Sequence, residues 1–509
     1  MRRPGSFGCS EPRLLGAASL LFALALPVLA QGDLKELSAE AQQAQAAGDL
    51  VTATRKYEAI VKLQPRMAEA YANLGNLYYQ QGQTERAQSA YQRAIAQKPG
   101  LTGPHFFLGV IAFGEHDYSM ALEQLRKAAA TQPSNPMIYA YLGYTRFARG
   151  EFAEASGNLE KANALNGSDS DVLYHLSKSY GHLADEAFAQ LRIKFPDSVY
   201  LALSRAHLAE IKEDWQEAAR QYALALEKMP ANSRLLERTQ WSATMTAGQA
   251  PPPLSASRDE LVDASLAYKD TQLSGPKLRE EIARWQSSVS SSSKVADSDG
   301  RQHYLRGEGY QILAYLMSLA VFELDQDSYR SHQLRAQIFE AANNDEGAIQ
   351  EYREALKRKP DLQNIHFAIG TLYWKDRRWD DAAPELEAEL KNNPYHPQAL
   401  YELGDLCAVT GKSADAEKYF LKAKKLAPSM VEAYYALEKI YTESGRYDKS
   451  IEQLRAALKL KGSEPTAHYR LAVIYRKLGQ SQEADRELAL FDQSKAQPQS
   501  AHNGSSTVK

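Results

Sequence analysis

The sequence lacks most of the features that announce chemistry. It has only two cysteines, Cys9 and Cys407, so neither a disulfide framework nor a cysteine-built metal site is available. Its 60 basic and 63 acidic side chains leave a formal charge of −3, without the clustered basic excess of a nucleic-acid footprint. The 11 histidines are scattered, with no HExxH and no other metal-ligand spacing, and His105, His303, His366 and His468 read as helix-face residues. No GxSxG nucleophile elbow occurs. "TGKSAD" at 410–415 resembles the end of a phosphate-binding loop, but Leu406 stands where the loop needs its first glycine, and the fragment falls in a turn between two expected helices. "GEGYQI" at 307–312 lacks the third glycine of a dinucleotide fingerprint and follows no strand. Asp380 and Asp381 open an expected helix, where negative charge suits the helix dipole. No catalytic, cofactor-binding or metal-ligating residue is therefore assigned, and an enzyme would have to build its site from residues that only the fold brings together.

Long apolar runs are scarce too. The first, Leu14–Ala30, follows Arg2 and Arg3, is broken by Pro27, and ends with Val28 and Ala30 at the small-residue places that precede cleavage, here before Gln31. Residues 1–30 read as a secretion signal, which predicts an exported chain, periplasmic or extracellular. At 17 residues the run is short for a membrane span of about 20. An uncleaved signal-anchor is the alternative. Cleavage removes Arg2, Arg3 and Arg13 against Glu11, a net +2, and moves the charge from −3 to −5. It also removes Cys9, which leaves Cys407 with no partner in the chain. The second run, Tyr310–Leu324, is 15 residues long and reads as a helix buried between neighbouring units.

What the sequence does have is a ruler. Pro65, Pro99 and Pro133, and again Pro360, Pro394 and Pro428, are spaced by 34 residues. A period of this length marks stacked repeats. Units begin at 34, 68, 102, 136 and 199, and at 329, 363, 397, 431 and 465. In the unit from 68, Leu74, Gly75 and Tyr78 recur at helical spacing, Gly82 breaks the pattern, Ala87, Tyr91 and Ala94 resume it, and Pro99 ends it. Each unit is thus expected to be a helical hairpin. Gly75, Gly109, Gly143, Gly370 and Gly404 share the eighth place, and Ala87, Ala121, Ala155, Ala348, Ala382 and Ala416 the twentieth. Anything larger would force two close helices apart at about 1–3 kcal/mol. With an aromatic residue or leucine at the twenty-fourth place and proline at the thirty-second, this pattern resembles the tetratricopeptide repeat family over most of residues 34–491. The resemblance implies an all-α fold, an α-α superhelix (solenoid) of tetratricopeptide hairpins in two arrays.

Two units depart from the ruler in the same way. Residues 170–198 and 300–328 each span 29 positions, and Tyr174 and Tyr304, Tyr180 and Tyr310, Leu183 and Leu313, and Ala184 and Ala314 all lie 130 apart. They read as duplicates of an atypical hairpin with a shortened turn. The expected organisation is a signal peptide (1–30), an N-terminal array (34–230), an irregular helical and Ser/Pro-rich joint (231–299), a C-terminal array (300–491) and a disordered tail (492–509). Within the joint, "QAPPPLSASRDE" stops one helix, a second pattern runs from about Asp259 to Trp285, and "SSVSSSSKVADSDG" reads as a flexible link.

In the family, a second stripe on the first helix lines a concave groove that grips peptides. Carried over residue by residue, its fifth place is Phe106, Phe367, Tyr401, Tyr435 and Tyr469. The ninth place is Asn76, Val110, Tyr144, Thr371, Asp405 and Lys439, and the twelfth is Phe113 and Trp374. The lysine and asparagine clamp for C-terminal carboxylates is absent from these places. The resemblance implies a non-catalytic scaffold or adaptor for protein or peptide segments, without cofactor, nucleic acid or a stable membrane span after cleavage. The terminal repeats offer faces for self-association. Two other readings are a carrier of a small molecule, lipid or glycan with a pocket near the joint, and an enzyme.

Overall fold

A computed structural model describes residues 28–251, 273–292, 294–295, 297–462 and 464–496. Most of the stretch expected to be a signal, residues 252–272 of the expected joint and the residues beyond Ala496 lie outside the described residues. Every described element is a helix. Among the described residues, no helix is long and apolar enough to cross a membrane.

The repeating hairpin follows from its punctuation. In the unit from 68, a 13-residue helix Ala68–Gln80 turns into a 14-residue helix Thr84–Gln97. The fifteenth place takes the left-handed backbone that reverses the chain, with φ 71° at Gly82, 76° at Gly150 and 79° at Gly411. His116, Glu213, Asn343 and Arg377 hold the same place with φ between 55° and 61°, against the usual preference for glycine. Directly after the turn, Asp49, Asp117, Asp214 and Asn344 cap the second helix by accepting a backbone N–H with their side chains.

Closure of the hairpin rests on the eighth place. A Cβ built on Gly75 would stand 2.5 Å from the Tyr91 ring, on Gly143 2.5 Å from Leu159, and on Gly404 2.8 Å from the Phe420 ring. The six alanines of the twentieth place are fully buried. Eighth, twentieth and twenty-fourth residues therefore form one close-packed knot per hairpin. The hairpin from Val431 is built differently. Its eighth residue is Glu438 and its twentieth Ser450, both buried, and Thr442 Oγ1 donates to Glu438 Oε1 at 3.0 Å while Arg470 Nη1 reaches Glu438 Oε2 at 2.7 Å.

The chain divides into two compact units, the described residues up to Leu334 and those from Arg335 onward. In the first, hairpins stack in order from Val28 to Leu165, and the two 29-residue units then correct the expectation of a shortened turn. Each is one continuous helix, Ser170–Lys194 of 25 residues and Arg301–Leu324 of 24. Neither contains a residue in the left-handed conformation, so nothing reverses the chain, and Gly181 lies within a helix with open space beside it. The two helices pack on each other instead, running antiparallel. Ser177 Oγ lies 2.9 Å from Ser318 Oγ, Tyr180 stacks on Tyr310 at 5.9 Å, and Gly307 and Gly300 lie against Phe188 and Leu191. The apolar stretch Tyr310–Leu324 is in this helix, with Ile312, Leu313, Leu316, Met317 and Val321 buried.

Hairpin Val199–Lys228 and helix Ser233–Thr246 leave from one end of this pair. The joint is firmer than its composition suggests. Helix Gly275–Ser292 continues through the serines expected to be a flexible link, because Leu278, Trp285 and Ser292 form a buried stripe at seven-residue spacing. Val289 and Trp285 pack against Gly309 of the long helix. In the second unit, hairpins follow one another to the last helix, Ser481–Ala496, which runs past the expected start of the tail at Asp492.

Candidate functional site

Within each unit, first helices of successive hairpins pack on one another, whereas a second helix packs on its own hairpin and the next first helix. The first helices therefore form the inner layer, and their free side is the inner face.

In the first unit this face carries a continuous run of rings. Tyr79 meets Phe107 at 5.4 Å, Phe107 meets Phe106 at 5.3 Å, and Phe106 meets Tyr141 edge-on at 5.6 Å. Tyr141 also takes Phe113 at 6.0 Å and Tyr144 at 5.7 Å. Beyond Tyr144 the run continues to His175 at 4.6 Å and on to Phe147 at 5.5 Å. Tyr141 and Tyr144 are buried, while Tyr79, Phe106, Phe107, Phe113 and Phe147 are half-buried. Burial, with Asp169 and Asp171 nearby, holds the Tyr144 phenol far above its ordinary range, so it is neutral.

The inner face of the second unit is polar at corresponding places. Thr371 Oγ1 donates to Glu402 Oε2 at 2.8 Å, and Trp374 Nε1 donates to Asp405 Oδ2 at 3.2 Å, so each bond ties one hairpin to the next. Glu402 is buried, which pushes its carboxyl up to about 7 against the opposing hydrogen bond from Thr371. Burial likewise raises Glu389, which accepts the backbone N–H of Asn364 at 3.0 Å, and pushes His396 down to about 4.

Family descriptions reading "Tetratricopeptide repeat" match residues 68–101, 329–362 and 367–431, and "TPR repeat" matches 439–479. The chain is a tetratricopeptide-repeat protein. Among solved structures it is similar to MamA of Desulfovibrio magneticus RS-1, at 18% identity over 33% of this chain and 94% of that one, with a TM-score of 0.31. It is also similar to YrrB, described as a TPR protein with an unusual peptide-binding site, at 18% identity over 34% and 90%, TM-score 0.31. PilF of Pseudomonas aeruginosa is similar at 14% identity over 46% and 95%, TM-score 0.32. No curated protein matches the chain.

Of the groove residues expected from the tetratricopeptide pattern, Phe106, Phe113 and Tyr144 enter the ring run, and Val110 packs beside them. Tyr79, Phe107, Tyr141, Phe147 and His175 were missed. Three of these, Phe107, Tyr141 and His175, share the sixth place, which was the available signal. The aromatic column of the second array does not form a shared strip. Phe367 lies against His396 at 4.5 Å, Tyr401 against Phe420 at 5.5 Å and Tyr469 against Phe491 at 5.7 Å, while Tyr435 faces the Arg470 guanidinium at 5.6 Å. Burial pushes the Tyr401 hydroxyl up to about 12 and raises that of Tyr435 as well. Tyr469 is 51% exposed and Lys439 is exposed.

Three fourth-place histidines each bond the twenty-third residue of their own unit. His105 Nδ1 is 2.7 Å from Gln124, His366 Nδ1 2.6 Å from Glu385, and His468 Nδ1 2.7 Å from Glu487. They brace hairpins. Among the described residues, no group of three or more His, Cys, Asp or Glu is placed to hold a metal ion. Cys407 is buried, which raises its thiol pKa and keeps it protonated.

Proposed function

We propose that this protein is an exported, non-catalytic scaffold that holds a segment of a partner protein on the inner face of its first unit. The observation that carries the reading is the unbroken run of rings from Tyr79 to Phe147, which offers large contact area with few torsions to freeze. Between Thr102 and Ala148 the inner places of the two first helices carry Phe106, Phe107, Val110, Phe113, Tyr141 and Tyr144, none of them charged. The half-buried members, among them Phe106, Val110 and Phe113, favour a segment that presents apolar side chains and an uncharged backbone. Export rests on the signal-like residues 1–30.

The test is photocrosslinking in the native cell with the photoreactive residue at Val110. A defined segment of a second protein should be captured, and Phe113→Ser with Phe147→Ser should cut that capture at least about tenfold while helix content is unchanged. Undiminished capture by the substituted chain overturns the assignment of the site. Mass analysis of the chain from the cell envelope, with an N-terminus at Gln31, checks export; a full-length chain retained in the cytoplasm overturns it.

A further inference from the structure

The two long helices are duplicates in sequence, and their contacts have a regularity that packing alone does not require. Each residue of Ser170–Lys194 has its equivalent 130 positions further on. Tyr180 stacks on Tyr310, its own equivalent, at 5.9 Å. Away from this point, two further contacts each have a mate. Ser177 meets Ser318 at 2.9 Å, and exchanging each for its equivalent gives Gly307 and Phe188, which also meet, a Cβ on Gly307 falling 2.6 Å from the Phe188 ring. Tyr200 lies 5.4 Å from Tyr304, and the same exchange gives Arg330 and Tyr174, where the guanidinium stands 4.2 Å over the ring. A set of contacts that maps onto itself when equivalents are exchanged describes a two-fold axis, here passing between Tyr180 and Tyr310.

The flanking helices obey the same relation. Helix Phe152–Leu165 packs on the first long helix, and its equivalent, 282–295, overlaps helix Gly275–Ser292, which packs on the second.

We infer that the long-helix pair is a self-complementary interface, in which two copies of one module meet about a local two-fold axis inside a single chain. The partner that this surface fits is a second copy of the module, supplied from 130 residues further along. The first unit is in this sense a fused dimer. The side chains have diverged while the mated positions have kept their pairing, so a small residue faces a large one at 307 and 188 and two small residues meet at 177 and 318.

The full chain tests this by exchange across the axis. Gly307→Ser alone overpacks against Phe188, and Ser318→Phe alone overpacks against Ser177, and each should lower the thermal midpoint of helix loss by about 3 °C or more. The quadruple variant S177G, F188S, G307S, S318F places a Gly–Phe contact where Ser–Ser was and a Ser–Ser contact where Gly–Phe was. A two-fold interface accommodates this, and the quadruple variant should melt above both single variants. A quadruple variant that melts at or below the lower single variant overturns the inference, because four changes at unrelated positions accumulate their losses.

Discussion

The inner faces of the two units share one backbone ruler and differ in chemistry. In the first, rings touch across successive hairpins from Tyr79 to Phe147. In the second, equivalent places tie hairpins together with Thr371–Glu402 and Trp374–Asp405, and Arg470 reaches the buried Glu438. The repeat thus fixes where side chains point and leaves their chemistry open. One face is lined by rings, and the other is braced by its own polar pairs.

The part common to both faces is the knot at the eighth place, and breaking it has the largest effect. Gly143→Leu in the first unit and Gly404→Leu in the second should each destabilise their own unit by about 3 kcal/mol, since even the first added carbon falls under 3 Å from Leu159 or Phe420 and forces the two helices to shift. Hydrogen exchange followed by mass spectrometry assigns the loss to a unit. Equal losses show that the ruler is one device used twice.

Acidity acts on the second unit through two groups that burial shifts. The folded-state pKa of Glu402, about 7, exceeds the ordinary carboxyl value of 4.5, so its contribution to stability is present in full below 4.5 and is lost as pH rises through about 7. His396 works the other way. Its value falls from 6.5 to about 4, so its contribution is present above 6.5 and is lost as pH falls towards 4. The slopes oppose each other in one window. Glu402→Gln should therefore make the second unit about 1–2 kcal/mol less stable at pH 4.5 than at pH 7. Denaturant melts across this range check it.

Arg470→Ala leaves Glu438 buried without its cation and should cost about 1–2 kcal/mol. Glu438→Ala with Ser450→Ala restores the small residues that other hairpins carry at these places and should cost less than Arg470→Ala alone. The smallest effect concerns the turns: Arg377→Gly, at φ 58°, should gain about 0.5 kcal/mol. A thermal scan resolves its sign.

The knot and the turns were legible in the sequence because they are local. Gly75 and Tyr91, or Gly143 and Leu159, lie within one hairpin, and the same requirement recurs in every unit until it becomes visible as a period. The long helices were legible as duplicates and illegible as partners. Ser177 finds Ser318 only once the chain between them has folded away, and no local pattern encodes that. The expected turn failed for a related reason: a unit five residues short of 34 was taken to have a tighter reversal, whereas it has none. Of the ring run, Phe106, Phe113 and Tyr144 were legible from the repeat places. Fifth-place rings such as Tyr401 and Tyr469 pack on the second helix of their own hairpin, against Phe420 and Phe491, whereas fifth-place Phe106 joins the ring run beside sixth-, ninth- and twelfth-place rings.

The discontinuous pair also sets a timetable. A chain is made from its N-terminus, and helix Ser170–Lys194 emerges while residues 195–300 still separate it from its partner. At about 5–20 residues per second, that interval lasts on the order of 5–20 s. Tyr180 and Phe188, which lie against Tyr310 and Gly307 in the finished fold, have no helix Arg301–Leu324 to cover them during this time. The other hairpins close on a neighbour that follows within a few residues. Folding of the first unit therefore waits on one late arrival, and this single face is where a nascent chain is most exposed to aggregation and most in need of a chaperone.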